Sequence, residues 1–446
     1  MKFIIIGGDA AGMSAASRAK RNRPDMDIIV LEKTSDVSYS ACGMPYNLAD
    51  SGRSMDDLVV RQANVFRDRQ KIDLRTGHYV EAIDVNRKAV RGTTHDGSKF
   101  DLQYDKLLIA TGASPVIPKL PGFDLPGVTS MKSLNDGRVI KQFITDNKVK
   151  NVVIIGMGYI ALEMCEAFRA LGIEVDMVKP RSVFIPWMNN KLASAVKTEV
   201  ETNNVRIHLG HRIETIVREE DGLKVICSDV DLSCRMVFVA VGVAPNSQLA
   251  EDAGLELGPS KSISVDKTLC TSNPDIYAAG DCADACHVVT GRKTWIPLAL
   301  RANRGGWAVA DNVTGAKVEL QGVVGTAVFK VFDIQVARTG LGIDEAKEFG
   351  FEPVEVVIES RSRAHAHPGS SSILVQVVGD RKSGRLIGMQ MVGREGVAHR
   401  INAAAVALHA GMTVDEFAQT DLAYAPPFGP VWDPMLTAAN QLLKQI

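Results

Sequence analysis

The stretch Phe3-Ile4-Ile5-Ile6-Gly7-Gly8-Asp9-Ala10-Ala11-Gly12, followed by Met13 to Arg21, decides the fold. Consecutive apolar residues read as a strand buried on both faces; a turn of small residues follows, and then a helical pattern. Strand, glycine turn and helix in that order open a nucleotide-binding βα unit. Gly7 permits the turn. Ala10, Ala11 and Gly12 let a pyrophosphate approach the helix N-terminus, where unpaired N–H groups and the dipole favour negative charge. A second apolar strand, Ile28 to Leu31, ends in Glu32, twenty residues beyond Gly12, where a carboxylate accepts hydrogen bonds from a ribose. Asp9 stands where the usual pattern has a second glycine.

The same grammar recurs. Asn151 to Ile155 is a buried strand, Gly156-Met157-Gly158-Tyr159-Ile160-Ala161 is a G-x-G-x-x-A turn, and Leu162 to Leu171 is its helix. The next strand, Glu174 to Val178, ends in Lys179-Pro180-Arg181 rather than in an acid. A carboxylate there repels a 2′-phosphate and a cation attracts it, so Lys179 predicts that NADPH is accepted. Tyr104 to Ala113 closes a further strand on Thr111-Gly112. Ile276 to Asp281 does so on Ala279-Gly280-Asp281, leaving Asp281 to bind a polyol hydroxyl. Two nucleotide sites imply two cofactors. Ser114 to Pro118 and Leu120-Pro121-Gly122 mark an interdomain connection. From about Gly325 the pattern becomes α+β: strands at Ala327 to Arg338, Val354 to Ser360, Ser372 to Val378 and Ile387 to Val392, then helices at Gly396 to His409 and Thr413 to Gln419. This part has no glycine fingerprint and reads as an interface.

With 51 basic and 52 acidic residues among 446, the net charge of -1 supplies no long-range field for nucleic acid or an anionic membrane. No apolar run reaches the roughly 18 residues of a membrane span, and Met1 to Ile6 meets Gly7 too early for a signal-peptide core, so a cytoplasmic location is expected. Seven cysteines, an odd number, argue against a disulfide framework. Cys282 and Cys286 lack a second pair at zinc spacing, so no metal site is expected.

Ser38-Tyr39-Ser40-Ala41-Cys42-Gly43-Met44-Pro45-Tyr46 carries the one cysteine that invites chemistry. A free cysteine is more often a small buried hydrophobe than a nucleophile. Pro45 suits a first helical turn, which would set Cys42 near a positive helix end and lower its pKa. Met55 to Gln70 reads as helical and charged, and Val90 to Leu102 as a hairpin around Asp96-Gly97. Arg18 and Arg21 share a helix face; on spacing alone they complement the helix dipole.

Together, Gly7 to Gly12 with Glu32, Thr111-Gly112, Gly156 to Ala161 and Ala279-Gly280-Asp281 resemble the FAD-dependent pyridine nucleotide-disulfide reductase family over essentially the full chain. The resemblance implies an α/β fold with two Rossmann-like domains: FAD at 1–118 and 245–320, NAD(P) at 119–244, and a C-terminal α+β dimerisation domain at 321–446. It places Gly7, Ala10, Ala11, Gly12, Glu32, Lys33, Val80, Ala110, Thr111, Gly112, Gly280, Asp281 and Ala299 with the cofactors, together with Gly156, Gly158, Tyr159, Ile160, Ala161, Lys179 and Gly242. In that picture Tyr159 moves out of the nicotinamide pocket to admit NADPH or NADH.

Members with a redox disulfide carry Cys-x-x-x-x-Cys, whereas Asn47 stands five residues after Cys42 here. Ser38 to Gly43 therefore resembles the single-cysteine branch, which holds coenzyme A disulfide reductases, persulfide or sulfur reductases, NADH oxidases and NADH peroxidases. Ala10 replaces the histidine of the peroxidase and oxidase pattern. Asp421 to Phe428 with Val431-Trp432-Asp433-Pro434 is similar to the coenzyme A disulfide reductase pattern, in which the tyrosine, here Tyr424, crosses to the partner's cysteine in a homodimer. The resemblance further implies coenzyme A as a bound ligand or part of the substrate, with Ser14, Arg18, Arg21, Ser38, Lys71, Asn303, His367 and Trp432 as substrate contacts. His365 lies beside His367. The resulting expectation is an NAD(P)H-dependent reductase of coenzyme A disulfide, coenzyme A persulfide or polysulfide working through Cys42; an oxygen-reducing oxidase and a non-catalytic flavin redox sensor are the alternatives.

Overall fold

A computed structural model describes residues 1–446. The strand of the first glycine turn, Lys2–Ile6, is the centre of a five-stranded parallel sheet in the order Ile276–Ala278, Lys106–Ile109, Lys2–Ile6, Asp27–Glu32, Asp73–Thr76. The strand of the second, Asn151–Ile155, is likewise the centre of its sheet: Val205–Leu209, Glu174–Lys179, Asn151–Ile155, Met236–Val239, Val128–Thr129. In both, the flanking strands reach the centre from opposite sides, so the glycine turn opens at the topological switch point, where a ligand finds a crevice beyond the carboxyl ends of the strands. Phe3, Ile4, Ile5 and Val152 to Ile154 are fully buried, as strands covered on both faces require. Antiparallel pairing of Ala113–Pro115 with Val243–Pro245 carries the chain out of the first domain and back.

The C-terminal part is a five-stranded antiparallel sheet, Ala327–Val331, Ile334–Gly340, Leu386–Gly393, Ser372–Asp380, Pro353–Arg361, with helices Val397–Ala410, Val414–Ala418 and Pro434–Leu442. The expected single strand from Ala327 to Arg338 is a hairpin, turning at Phe332 and Asp333, where Phe332 takes a positive φ of 50°. Met55 to Gln70 is not a helix. It breaks into a short turn at Met55–Leu58, capped by Ser54, and a π turn at Val65–Arg69. Composition was helical there, but too few apolar residues recur to bury a face, and packing outweighs propensity.

Two features position the site. Helix Ala10–Asn22 packs on helix Ala299–Val313, where Gly306 lies against the Ala11 carbonyl, so a side chain there would push the helices apart. The short helix Met44–Ala49 after Cys42 sends Met44 and Leu48 into the core of the second nucleotide domain, beside Met55 and Phe168. Burying Leu48 contributes about 2 kcal/mol. Arg138, on helix Leu134–Asp146 of that domain, grips Asp36 with two N–H donors at 2.7 and 2.8 Å and also reaches Asp56. The Cys42 loop thus leaves the first domain and is fastened to the second.

Candidate active site

In the first glycine turn Gly7 holds φ 109°, and a Cβ at Gly12 would strike the Gly7 carbonyl oxygen; only glycines build so tight a cradle. Glu32 ends its strand facing the loop, accepting the Gly8 N–H at 2.7 Å and both donors of Thr34. Thr111 bonds the Asn246 carbonyl at 2.6 Å, tying the first exit strand to the returning chain. Asp281 is half-buried and takes the Lys132 ammonium at 3.0 Å. Ala299 begins a helix whose first turn has no side-chain cap, leaving its N–H groups free. Ala10 and Ala11 form the first helical turn, Ala110 and Gly112 flank Thr111, Gly280 precedes Asp281, and Lys33 is exposed beside Glu32. The side chain of Val80 is packed in the core. This tight loop, ribose-facing carboxylate and open helix end fit a dinucleotide of the FAD kind.

The second turn repeats the cradle. Gly156 has φ 118° against the Ala240 carbonyl, Gly158 precedes helix Tyr159–Ala170, Ile160 and Ala161 form its first turn, and Gly242 has φ 127°. Lys179 is not the free cation expected. Its ammonium donates to the Phe184 carbonyl at 3.0 Å, and burial together with Arg181 pushes its pKa down. Arg181, two residues on, is exposed and carries the available charge at this strand end.

Cys42 opens to solvent in a single 3-10 turn, Ala41–Gly43, directly before helix Met44–Ala49. Its neighbours correct the expectation of a depressed thiol. Although the residue is exposed, desolvation by the protein packed around the sulfur raises the Cys42 pKa, Glu163 raises it further, Lys132 opposes, and Asp281 and Asp9 add to the rise. Three carboxyl groups stand against one ammonium, and a helix of only six residues has a weak dipole to set against them. Asp9 is itself pushed up to about 6 by burial, although its carboxylate accepts the Tyr39 N–H at 3.2 Å. Asn47, at the place of a second cysteine, is buried, with its amide donating to the Ser54 carbonyl at 2.7 Å.

The residues expected to meet substrate fall into three groups. Ser14 donates to Asn303 at 2.7 Å across the two packed helices, and one turn on Arg18 bonds Asp311 at 2.7 Å and stacks 5.2 Å over Trp307. Arg18 gives only its Nε–H to that carboxylate, which leaves its terminal guanidinium nitrogens unpaired, and Arg21 is exposed. Ser38 and Lys71 both adopt positive φ, 50° and 55°, and Lys71 is exposed. Tyr424, His367 and Trp432 belong to two loops that meet on the C-terminal domain: the Ala364 N–H donates to Pro426, and Arg400 donates to both Ser362 and Phe428. His367 turns Nδ1 to the Pro368 carbonyl at 3.0 Å and His365 is exposed. In the same segment Tyr424, Phe428 and Trp432 stand 48%, 79% and 65% exposed, large apolar side chains such as an interface covers.

Sequence reading missed Tyr46, Glu163 and Lys132 around Cys42. Tyr46 donates to Glu163 at 3.0 Å. Helical spacing was the available signal for two of them, since Tyr46 follows Cys42, and Glu163 follows Tyr159, by one turn. Lys132 had none, because only the tertiary fold brings it to Asp281. No cluster of side chains suited to a metal is present, and no helix is long and apolar enough to cross a membrane.

Comparison with known proteins agrees with this geometry. Residues 1–306 match the family model of the pyridine nucleotide-disulphide oxidoreductases and residues 326–435 that of their dimerisation domain. The chain is 38% identical over 443 residues to an NAD(P)H sulfur oxidoreductase (CoA-dependent) of Pyrococcus furiosus, covering 99% of both chains. It is 32% identical over 450 residues to an NADH oxidase of Methanocaldococcus jannaschii, covering 100% of this chain and 99% of that one. Among solved structures, a NAD-dependent persulfide reductase from A. fulgidus superposes with a TM-score of 0.96 at 36% identity, over 100% of this chain and 83% of that chain.

Proposed function

Because the chain belongs to the pyridine nucleotide-disulphide oxidoreductase family, we propose that it is an FAD-dependent NAD(P)H oxidoreductase that reduces coenzyme A disulfide, coenzyme A persulfide or polysulfide through Cys42. The observation that carries this reading is a solvent-open thiol at the junction of two nucleotide folds, with Asn47 where a second sulfur would stand. A lone sulfur cannot close an internal disulfide, so the second sulfur must arrive with the substrate.

The Gly7 to Gly12 loop would hold the flavin pyrophosphate, Glu32 its ribose and Asp281 its polyol, while Gly156 to Ala161 would seat the pyridine nucleotide. When bound, FAD would supply two-electron transfer from NAD(P)H to sulfur, the chemistry that breaks the disulfide formed between Cys42 and the substrate and frees the second thiol. Cys42, once ionised, attacks the substrate S–S bond, forming a mixed disulfide and expelling a thiolate. The domain matched at 326–435 makes a homodimer, and Tyr424 of the partner subunit protonates the leaving sulfur. Ser14, Arg18, Arg21, Ser38, Lys71, Asn303, His367 and Trp432 are the groups that bind the coenzyme A moiety.

Anaerobic turnover with coenzyme A disulfide tests the proposal. Two coenzyme A thiols per NAD(P)H, abolished in Cys42→Ser and slowed about tenfold or more in Tyr424→Phe, is the expected result. No nicotinamide oxidation above background with coenzyme A disulfide, coenzyme A persulfide or polysulfide would refute it. The relative named NADH oxidase supports a second reading, reduction of oxygen, which predicts oxygen uptake at the same rate without added sulfur compounds.

A further inference from the structure

Residues 421–432, the stretch that carries Tyr424, Phe428 and Trp432, have no regular secondary structure, and Gly429 is their only buried residue. Packing within the subunit therefore holds them weakly. Apart from local turns, two hydrogen bonds tie them to the rest of the chain: the Ala364 N–H donates to the Pro426 carbonyl at 3.1 Å, and Arg400 Nη2 donates to the Phe428 carbonyl at 2.9 Å. Arg400 stands in the first turn of helix Val397–Ala410, and every nitrogen of its guanidinium is used. Nε donates to Asp433 Oδ2 at 2.7 Å, Nη1 to the Gly396 carbonyl at 3.1 Å, and Nη2 also to the Ser362 carbonyl at 3.1 Å. The ion pair with Asp433 is nearly closed to water, its side chains 11% and 13% exposed. Two glycines make the room: a Cβ at Gly396 would collide with Nη1, and one at Gly429 would stand 3.0 Å from Nη2. Asp433 in turn caps helix Pro434–Leu442 by accepting the Met435 N–H at 2.9 Å. One side chain thus joins the middle and the end of the Tyr424 segment to the loop 362–371, where Ser362 and Arg363 bond Glu395 and where His367 stands. A planar fork with donors in fixed directions meets these separate acceptors at once, which the point charge of an ammonium does not.

We propose that Arg400 is the positioning residue of the part-site that each subunit lends its partner: by fixing the turn that follows Tyr424, it aims that phenol at the sulfur leaving the partner's Cys42. Ala425, next to Tyr424, accepts the Phe428 and Gly429 N–H groups at 2.9 and 3.1 Å, so the carbonyl that Arg400 holds belongs to the turn that begins beside the tyrosine. Proton transfer needs hydrogen-bond reach in the transition state, and a displacement of about 1 Å costs up to about a hundredfold in rate. A segment that is exposed in its own subunit and must serve another has to be held in place by its own chain, and Arg400 is the side chain that does so. The proposal rests on Tyr424 being the proton donor of the function proposed above, but not on which sulfur compound reacts.

The test is steady-state turnover of the full-length flavoprotein with coenzyme A disulfide, in a cycle of Arg400→Met and Tyr424→Phe. Arg400→Met should lower kcat about fivefold and leave KM for NAD(P)H and the rate of flavin reduction by NAD(P)H alone unchanged, because neither uses the Tyr424 segment. In the Tyr424→Phe background the same substitution should cost less than about twofold, since it acts through the phenol. Arg400→Met leaves Asp433 without its partner, so Arg400→Met/Asp433→Asn, which removes that charge and keeps a capping side chain, should repeat the result while eluting as a dimer in size-exclusion chromatography. With Tyr424→Phe impaired, an unchanged kcat in both Arg400 variants would overturn the proposal alone. So would a loss that multiplies with that of Tyr424→Phe, an equal loss in flavin reduction, or a monomer in both variants. Tyr424→Phe turning over at the parent rate would instead remove the proton donor, and the proposal with it.

Discussion

Replacing Arg138 by methionine asks whether the Cys42 loop is held by charge or by packing. Two arms of this guanidinium leave the second nucleotide domain. The one to Asp56 contributes little, because Asp56 stands in water and exposed pairs contribute about 0–1 kcal/mol. The one to Asp36 is a fork of two N–H···O bonds at 2.7 and 2.8 Å to a side chain only 14% exposed. Asp36 has no other side-chain partner, so losing Arg138 leaves a largely buried carboxylate unpaired. After a discount for solvent at Arg138, itself about a third open, the loss is about 2 kcal/mol, or roughly thirtyfold in a local opening equilibrium. Hydrogen exchange of residues 38–58 is the assay, combined with a double-mutant cycle using Asp36→Asn. Protection should fall about thirtyfold in Arg138→Met, with little further loss in the double variant. NAD(P)H-driven reduction of ferricyanide, which does not need Cys42, should persist while disulfide reduction falls. Unchanged protection, or a coupling under about 0.5 kcal/mol, would show that Met44, Leu48 and Met55 hold the loop unaided.

Three further outcomes follow from the geometry. Arg181→Ala should raise KM for NADPH about tenfold and leave NADH nearly unchanged, whereas Lys179→Ala, whose ammonium is spent on Phe184, should shift both together; steady-state kinetics with both nucleotides decides. Gly12→Ala places a methyl group on the Gly7 carbonyl and should yield protein lacking flavin absorbance at 450 nm (about), with far-UV dichroism retained. Asp9 binds its proton more tightly folded than unfolded, with its pKa up from 3.8 to about 6, so it costs stability progressively as pH rises through that window and fully above it. Asp9→Asn should therefore stabilise flavin-free protein at pH near 7.5 by about 2–3 kcal/mol and by little near pH 4, as read from denaturant titrations; equal effects at both would refute the assignment.

Much of this architecture was legible because local chemistry repeats. Buried β-branched strands running into glycine turns announce themselves at Ile6-Gly7 and Ile155-Gly156, and their sheets form around those strands. The hairpin at Asp96-Gly97 was equally plain. What escaped depends on distance. Lys179 looked free until the fold brought Phe184 back to it, Arg18 looked unpartnered until a helix almost three hundred residues away supplied Asp311, and Cys42 looked activated until Glu163, Asp281 and Asp9 converged on it. Charge at a site is a sum over the whole fold, and no window of sequence contains that sum.

The amide of Asn47 makes the one-sulfur design hard to undo. Its bond to Ser54 closes the loop that leads to Met55, and the Asn47 carbonyl receives the ammonium of Lys141 at 3.2 Å. Installing cysteine there would remove the amide donor and strand the Ser54 carbonyl in the same step that created a second thiol. A lineage, or an engineer, converting this protein to an internal-disulfide enzyme would first have to rebuild that loop closure. The dependence on a sulfur brought from outside is thus written into the scaffold as well as into the site.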